Sequence, residues 1–336
     1  MKILTVTVPC YNSQDYMEAC IDSLLCGGDR LQIIIINDGS KDNTGAIADA
    51  YAEKYPNIVQ VIHQENGGHG EGINQGIAHA EGVYFKVVDS DDKLSEDFPA
   101  FLDTLEACEA QGGVDMLLTN YYYVHTDGVG DRSISYKNVM ESGKIITWDE
   151  TKKFRIHQLI TLHSGTFRTE HMRAWKEGLP KHVFFEDNLM VVRTLPRVQK
   201  MYYMDIDLYR YTIGREGQSV ARESMKRRYA HQVLVSEKCF TAFRLDDITN
   251  QKQKKYLKHE VFMLISFAIC FARMNKNQES DDAVETMWKN CIAHDPKWGR
   301  HLRDKTVLRF LSMPGKFGRW FTNTIYAIGN SIVRYN

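Results

Sequence analysis

Ile33-Ile34-Ile35-Ile36-Asn37-Asp38-Gly39-Ser40 decides the fold class. Four consecutive β-branched residues show no polar alternation, so the run reads as a strand buried on both faces, which is typical of parallel sheets covered by helices. On its N-terminal side, Ile3–Val8 is a second apolar strand. Tyr16, Met17, Cys20, Ile21, Leu24 and Leu25 then repeat at helical spacing, with Ser13 as the expected N-cap. On its C-terminal side come a helix carrying Ile47, Ala48, Tyr51, Ala52 and Tyr55, a stop at Pro56, and the strand Ile58–Ile62. A short helix with Ile73, Ile77 and Ala80 leads to the strand Val83–Val88. This alternation predicts an α/β domain: a mainly parallel sheet with helices on both faces.

Past Asn120 the pattern mixes. Tyr121–Val124, Lys144–Thr147, Thr166–Arg168, Gln199–Met204 and Leu208–Thr212 read as strands, and Asp187–Leu195 as a helix. From about Ser224 the chain reads as successive helices, which places a domain boundary near residue 222. The expected division is a catalytic domain over 1–222, with halves at about 1–120 and 121–222, and a helical region over 223–336.

In parallel α/β sheets ligands bind beyond the carboxyl ends of the strands. Three strands end in Pro9-Cys10-Tyr11-Asn12, Asn37-Asp38-Gly39-Ser40 and Asp89-Ser90-Asp91-Asp92, so these should share one sheet edge. Packed carboxylates repel one another unless a cation sits among them, and Mg²⁺ or Mn²⁺ takes such oxygens together with phosphate. Alone, the acidic quartet also reads as a solvated turn or as a phospho-acceptor site. Asp38 suits an imide N–H such as that of uracil, and Tyr11 suits stacking on a base. Asn37–Ser40 also reads as an ordinary turn, with Ser40 or Asp42 starting a helix.

Asn66-Gly67-Gly68-His69-Gly70-Glu71-Gly72 precedes a helix, where free backbone N–H groups favour an anion. It matches neither Gly-x-Gly-x-x-Gly nor a Walker ending, which argues against dinucleotide-dependent dehydrogenases and P-loop enzymes. His69 reads as a contact to a diphosphate or acceptor, or as a structural residue.

Net charge is −1, from 42 Lys and Arg against 43 Asp and Glu, and gives no pointer to nucleic acid. Seven cysteines with no Cys-x-x-Cys pair suggest free thiols in a reducing cytoplasm. The start of the chain lacks the apolar run of a signal peptide, and Val261–Ala272 is too short to span a bilayer, which needs about 20 residues. The segment from Lys297 carries eight basic residues and one acid, Asp304. Its Arg303, Lys305, Arg309, Lys316 and Arg319 interleave with Phe310, Phe317, Trp320, Phe321, Ile325, Tyr326 and Ile328. Over about 300–336 this suits peripheral docking on an anionic membrane face. Packing on the catalytic domain, or on a second copy in a homo-oligomer, is the competing reading, and Pro314-Gly315 divides the segment.

Four ordered motifs carry a resemblance: Val8-Pro9-Cys10-Tyr11-Asn12, Ile36-Asn37-Asp38-Gly39-Ser40-Lys41-Asp42, Val88-Asp89-Ser90-Asp91-Asp92 and Phe185-Glu186-Asp187-Asn188. Together they resemble the inverting family 2 glycosyltransferases of the GT-A fold, of the bacterial surface-glycan type, over roughly residues 3–220. The resemblance implies transfer of a sugar from a nucleotide-diphosphate sugar, by default a UDP-sugar, to a glycan or lipid-linked acceptor. Pro9, Tyr11, Asn12 and Asp38 would line the nucleotide pocket, with Gly68, His69, Asn74, Ser90 and Lys86 on the donor side. Asp89 and Asp91 would hold Mn²⁺ or Mg²⁺, and Asp92 would face the sugar. Asp187 would be the general base, with Glu186 and His163 on the acceptor side. Glu186-Asp187 also reads simply as acids at a helix N-terminus. Relatives often carry Arg-Asn where this chain has Ile73-Asn74, so Lys86 or Arg215 would supply the cation. Arg215 and Gln218 would close over the diphosphate, although Gly214 and Gly217 also fit an exposed turn. A nucleotidyltransferase would need a Gly-rich basic first loop, which is lacking here. A silent nucleotide-sugar-binding protein would have lost Asp187 or the acidic pair, and both are present.

Overall fold

The structure, a computed structural model, describes residues 2–156, 158–214, 222–313, 315, 318–322 and 324. It divides into two compact units, Met1–Arg215 and Glu216–Asn336.

The first unit opens with strand β1 (Leu4–Cys10), helix α1 (Met17–Leu25), β2 (Leu31–Asp38), α2 (Thr44–Lys54), β3 (Val59–Gln64), α3 (His69–His79) and β4 (Tyr84–Val87). It continues through β5 (Lys93–Leu94), α4 (Phe98–Ala110), β6 (Met116–His125), β7 (Arg132–Ile134), β8 (Ile145–Thr147), β9 (Gly165–Arg168), α5 (Thr169–Arg173), α6 (Glu186–Thr194) and β10 (Lys200–Ile213). One sheet runs β3-β2-β1-β4-β9-β6-β10-β5, with β7 on β6 and β8 on β10. Every residue of β1 and β2 is buried, which is why isoleucine fills β2 without alternation. β1 pairs in parallel with β2 and β4, in register Cys10↔Asn37 and Thr7↔Val87, so the three motif-bearing ends lie along one edge.

Parallel pairing does not extend across the whole sheet. β9 inserts antiparallel between β4 and β6, giving a mixed sheet in its second half. The two strands expected over 199–212 are one, β10, which pairs in parallel with β6. Asp205-Ile206-Asp207 looks like a break in sequence, but it is an irregularity in register. There Asp205 accepts from Asn120 Nδ2 and Tyr203 Oη, both at 2.8 Å.

Ser13 is not the N-cap of α1; Tyr16 occupies that position without a side-chain cap. The Ser13 hydroxyl instead lies 2.9 Å from Ser90 Oγ, tying the first loop to the acidic turn. Helix α3 packs closely on β1 because its facing residues lack side chains. A Cβ at Gly76 would sit 2.3 Å from Thr7 Oγ1.

The second unit comprises α7 (Arg222–Arg227), α8 (Tyr229–Thr241), α9 (Gln251–Met274), α10 (Gln278–His294), α11 (Pro296–Lys305) and α12 (Leu308–Leu311). Its core includes Trp288 and the stacked pair Phe240–Trp298, 4.1 Å apart. Among the described residues no helix is long and apolar enough to cross a membrane. Part of the basic segment packs into this unit. Leu302, Leu308 and Leu311 are buried, and Arg319 reaches Asp281 Oδ2 at 3.2 Å, while Phe310 and Trp320 are exposed. Lys316, Phe317, Ile325, Tyr326 and Ile328 lie outside the described residues. The six cysteines other than Cys26 are buried, and all seven are free thiols.

Candidate active site

At the end of β2, Asp38 accepts three bonds. Gly67 N–H and Gln64 Nε2 donate to Oδ1 at 2.7 and 2.6 Å, and Gly68 N–H donates to Oδ2 at 2.9 Å. The anion that Gly67 and Gly68 approach is therefore this carboxylate rather than a free phosphate. Gly68 makes the turn at φ 84°, a left-handed conformation that glycine adopts without strain. Asp38 Oδ1 is filled, and one lone pair of Oδ2 is left for a ligand. Beside it a cleft of about 470 Å³ is lined by Tyr11, Gly39, Lys41, His63, Gln64, Glu65 and Asn66. Tyr11 is half exposed at its mouth. Asn12 joins the neighbouring loops, donating its N–H to Ser40 Oγ and accepting from Lys41 N–H. Pro9 packs against Gly72 of α3.

At the end of β4, Asp92 N–H closes the acidic turn on Asp89 O at 2.9 Å. Both Asp92 oxygens are bonded, Oδ2 by the Tyr209 hydroxyl at 2.8 Å and Oδ1 by Thr212 N–H at 2.7 Å. Burial and then the neighbouring Asp89 push the Asp92 carboxyl well above the usual range. For Asp89 burial works in the same sense, but the charge and hydrogen bond of His69 outweigh it and hold the group low.

Asp89, Asp92 and His163 each offer a ligand atom, all within 4.8 Å of one another. His163 stacks on Tyr211 at 4.3 Å, and burial brings its pKa down to about 4, leaving the ring neutral. Its Nδ1 is buried with no hydrogen-bond partner. A neutral imidazole beside two mutually repelling carboxylates fits a divalent cation. Asp91, expected as a ligand beside Asp89, is half-buried in the same turn and outside this trio.

Lys86 is buried rather than facing a donor. Its ammonium donates to the carbonyls of His163 and Gly165 at 2.9 and 3.3 Å, which fixes the loop carrying His163. Burial lowers it to about 7. Asn74 likewise serves the scaffold, exchanging bonds with both the N–H and the carbonyl of Leu179.

Phe185, in the left-handed region at φ 70°, turns the chain into α6. There Glu186 is buried and Asp187 only partly so. Burial, followed by the charge of Glu186, raises Asp187 to about 7. His69 joins this helix to the acidic turn, with Nδ1 2.7 Å from Glu186 Oε1 and Nε2 2.9 Å from Asp89 Oδ1.

Sequence reasoning missed Tyr209, Thr212 and Tyr211. The available signal was the alternation Tyr209-x-Tyr211 opposite Tyr121-x-Tyr123, which the parallel register brings face to face. Arg215 and Gln218 lie outside the described residues.

The sequence profile of Glycosyl transferase family 2 matches residues 5–179, over half of the chain. The chain belongs to this family. The match includes the acidic turn and stops short of the helix carrying Asp187. The glycosyltransferase GlyG of Streptococcus pneumoniae is 38% identical over 130 residues, 38% of this chain and 42% of GlyG. The match spans about half or less of the length of such curated relatives. S. aureus TarS in complex with UDP-GlcNAc superposes with a TM-score of 0.67 at 20% identity, covering 98% of this chain and 92% of TarS residues 1–349. The mannosyltransferase PcManGT of Pyrobaculum calidifontis, with GDP-Man and Mn²⁺, gives 0.55 at 16% identity, covering 99% and 88%. At these identities the likeness speaks for the fold, which is of the GT-A kind.

Proposed function

We propose that this family 2 protein is an inverting glycosyltransferase that moves a sugar from a nucleotide-diphosphate sugar, a UDP-sugar by preference, to a hydroxyl of a glycan or lipid-linked acceptor. One observation carries the reading: Asp187, a carboxyl raised to about 7, sits at the start of a helix pinned through Glu186 and His69 to the acidic turn. A base poised near neutrality is thus tied through His69 to a cation-ready acidic group, an arrangement suited to sugar transfer to a hydroxyl.

The residues divide the work. Tyr11 and Asp38 hold the base, with the last lone pair of Asp38 Oδ2 on an imide N–H. Asp89, Asp92 and His163 would hold Mg²⁺ or Mn²⁺, which offsets charge gathering on the departing diphosphate. Asp187 takes the proton from the acceptor hydroxyl as its oxygen attacks the anomeric carbon on the face opposite the nucleotide. A single displacement inverts that carbon, so an α-linked donor gives a β-linkage. TarS, solved with UDP-GlcNAc, and PcManGT, solved with GDP-Man, show that this fold takes nucleotide-diphosphate sugars, and the uridine preference rests on Asp38 and Tyr11.

The test is a donor screen over UDP-, GDP- and TDP-sugars, with and without Mn²⁺. Turnover of one donor class that needs the metal is the expected result. Turnover of none, or turnover indifferent to metal removal, would overturn the reading.

A further inference from the structure

His69 spends both ring nitrogens on carboxylates. Its partners are Asp89 in the acidic turn and Glu186, the residue before Asp187. The surroundings are shaped for this contact. Glu186 is buried, and a Cβ at Gly70 would lie 2.8 Å from Glu186 Cγ, so the bare backbone there leaves room for the glutamate. Helix α3 and the loop before it grip the approach to α6 twice more, through Asn74 on Leu179 and through Gly67 O, which accepts from His182 N–H at 2.9 Å. His69 carries that grip on to the acidic turn.

We propose that His69 is a positioning residue that sets the spacing between the donor-side turn and the helix carrying Asp187. With both nitrogens taken it does not reach for the diphosphate itself. The proposal rests on the reading of Asp187 as base and of the turn as the donor seat. In-line attack tolerates little error in the placing of base and donor, and a displacement of about 1 Å costs on the order of a hundredfold in rate.

The experiment compares wild type with His69→Gln, Glu186→Gln and the double variant, all checked for wild-type melting. In His69→Gln, kcat should fall roughly a hundredfold with nucleotide affinity held within about threefold, since geometry rather than binding is lost. The double variant should be no slower than the slower single, because the two side chains act as one link. Independently of turnover, amide hydrogen exchange over residues 186–190 should speed by about tenfold in His69→Gln as the helix start is released. Unchanged kcat with unchanged exchange overturns the proposal. Joint loss of kcat and nucleotide affinity also overturns it, by making His69 a donor contact. Should wild type transfer no sugar at all, the glycosyltransferase reading fails, and the exchange comparison still decides the His69 link.

Discussion

The Tyr209 hydroxyl donates to Asp92 Oδ2 at 2.8 Å and accepts Asp89 N–H at 3.1 Å, so one buried phenol spans the acidic turn from end to end. The turn is thereby a preformed seat. Tyr209→Phe keeps the ring and strands a buried carboxylate oxygen and a buried amide, which should cost about 1–3 kcal/mol. Urea unfolding measures it. A loss below about 0.5 kcal/mol would mean that these bonds do not organise the turn.

The raised carboxyl of Asp187 gives the pH profile its sign. A base must be ionised to accept a proton, so kcat should hold above about pH 7 and fall below it. At one pH unit under the midpoint about a tenth of the base is ionised, so the rate should drop roughly tenfold. A flat profile from pH 5 to 8 would remove Asp187 from the role. Stability runs the other way. The folded carboxyl keeps its proton longer than the unfolded one, so the group costs stability as pH rises from 3.8 towards 7. Asp187→Asn should therefore melt higher than wild type at pH 8.

The approach of α3 to β1 predicts that Gly76→Ala is destabilising. Its Cβ would meet the side chain of Thr7 inside the ordinary contact distance, and overpacking of this kind costs about 1–3 kcal/mol. Thermal melting of Gly76→Ala beside Thr7→Ala/Gly76→Ala, each against its own parent, tests the cause, because removing Thr7 Oγ1, which would sit 2.3 Å from the new Cβ, should recover part of the loss. No recovery would place the strain elsewhere.

His163 separates two assignments of the cation seat. His163→Phe keeps a ring against Tyr211 and removes the nitrogen, so the Mn²⁺ needed for half-maximal turnover should rise by about tenfold or more. An unchanged requirement, with Asp91→Ala raising it instead, would return the metal to Asp91.

The nucleotide half was legible because its signals are local. Ile33–Ile36 is buried in β2 and leads straight to Asp38, and Ile3–Val8 leads in the same way to Pro9 and Tyr11. The amphipathic run Phe98, Phe101, Leu102, Leu105 and Cys108 of α4 was equally readable and went unread. What sequence could not supply were partners far apart in the chain. Nothing local tells that Asp38 will be occupied by Gly67 and Gly68, that Ser13 will join Ser90 instead of capping α1, or that Lys86 will sit beneath the His163 loop. His69 is the sharpest case, since its two partners become neighbours only when α3, the acidic turn and α6 converge.

The central claim is that Asp187 deprotonates the acceptor in a nucleotide-sugar transferase. It is tested most directly by Asp187→Asn, assayed for sugar transfer and, by calorimetry, for nucleotide binding. The substitution keeps size and hydrogen bonding and removes the base. The account predicts transfer down by roughly a hundredfold to ten-thousandfold with nucleotide affinity unchanged. Transfer within about tenfold of wild type, or transfer and affinity lost together, would contradict it.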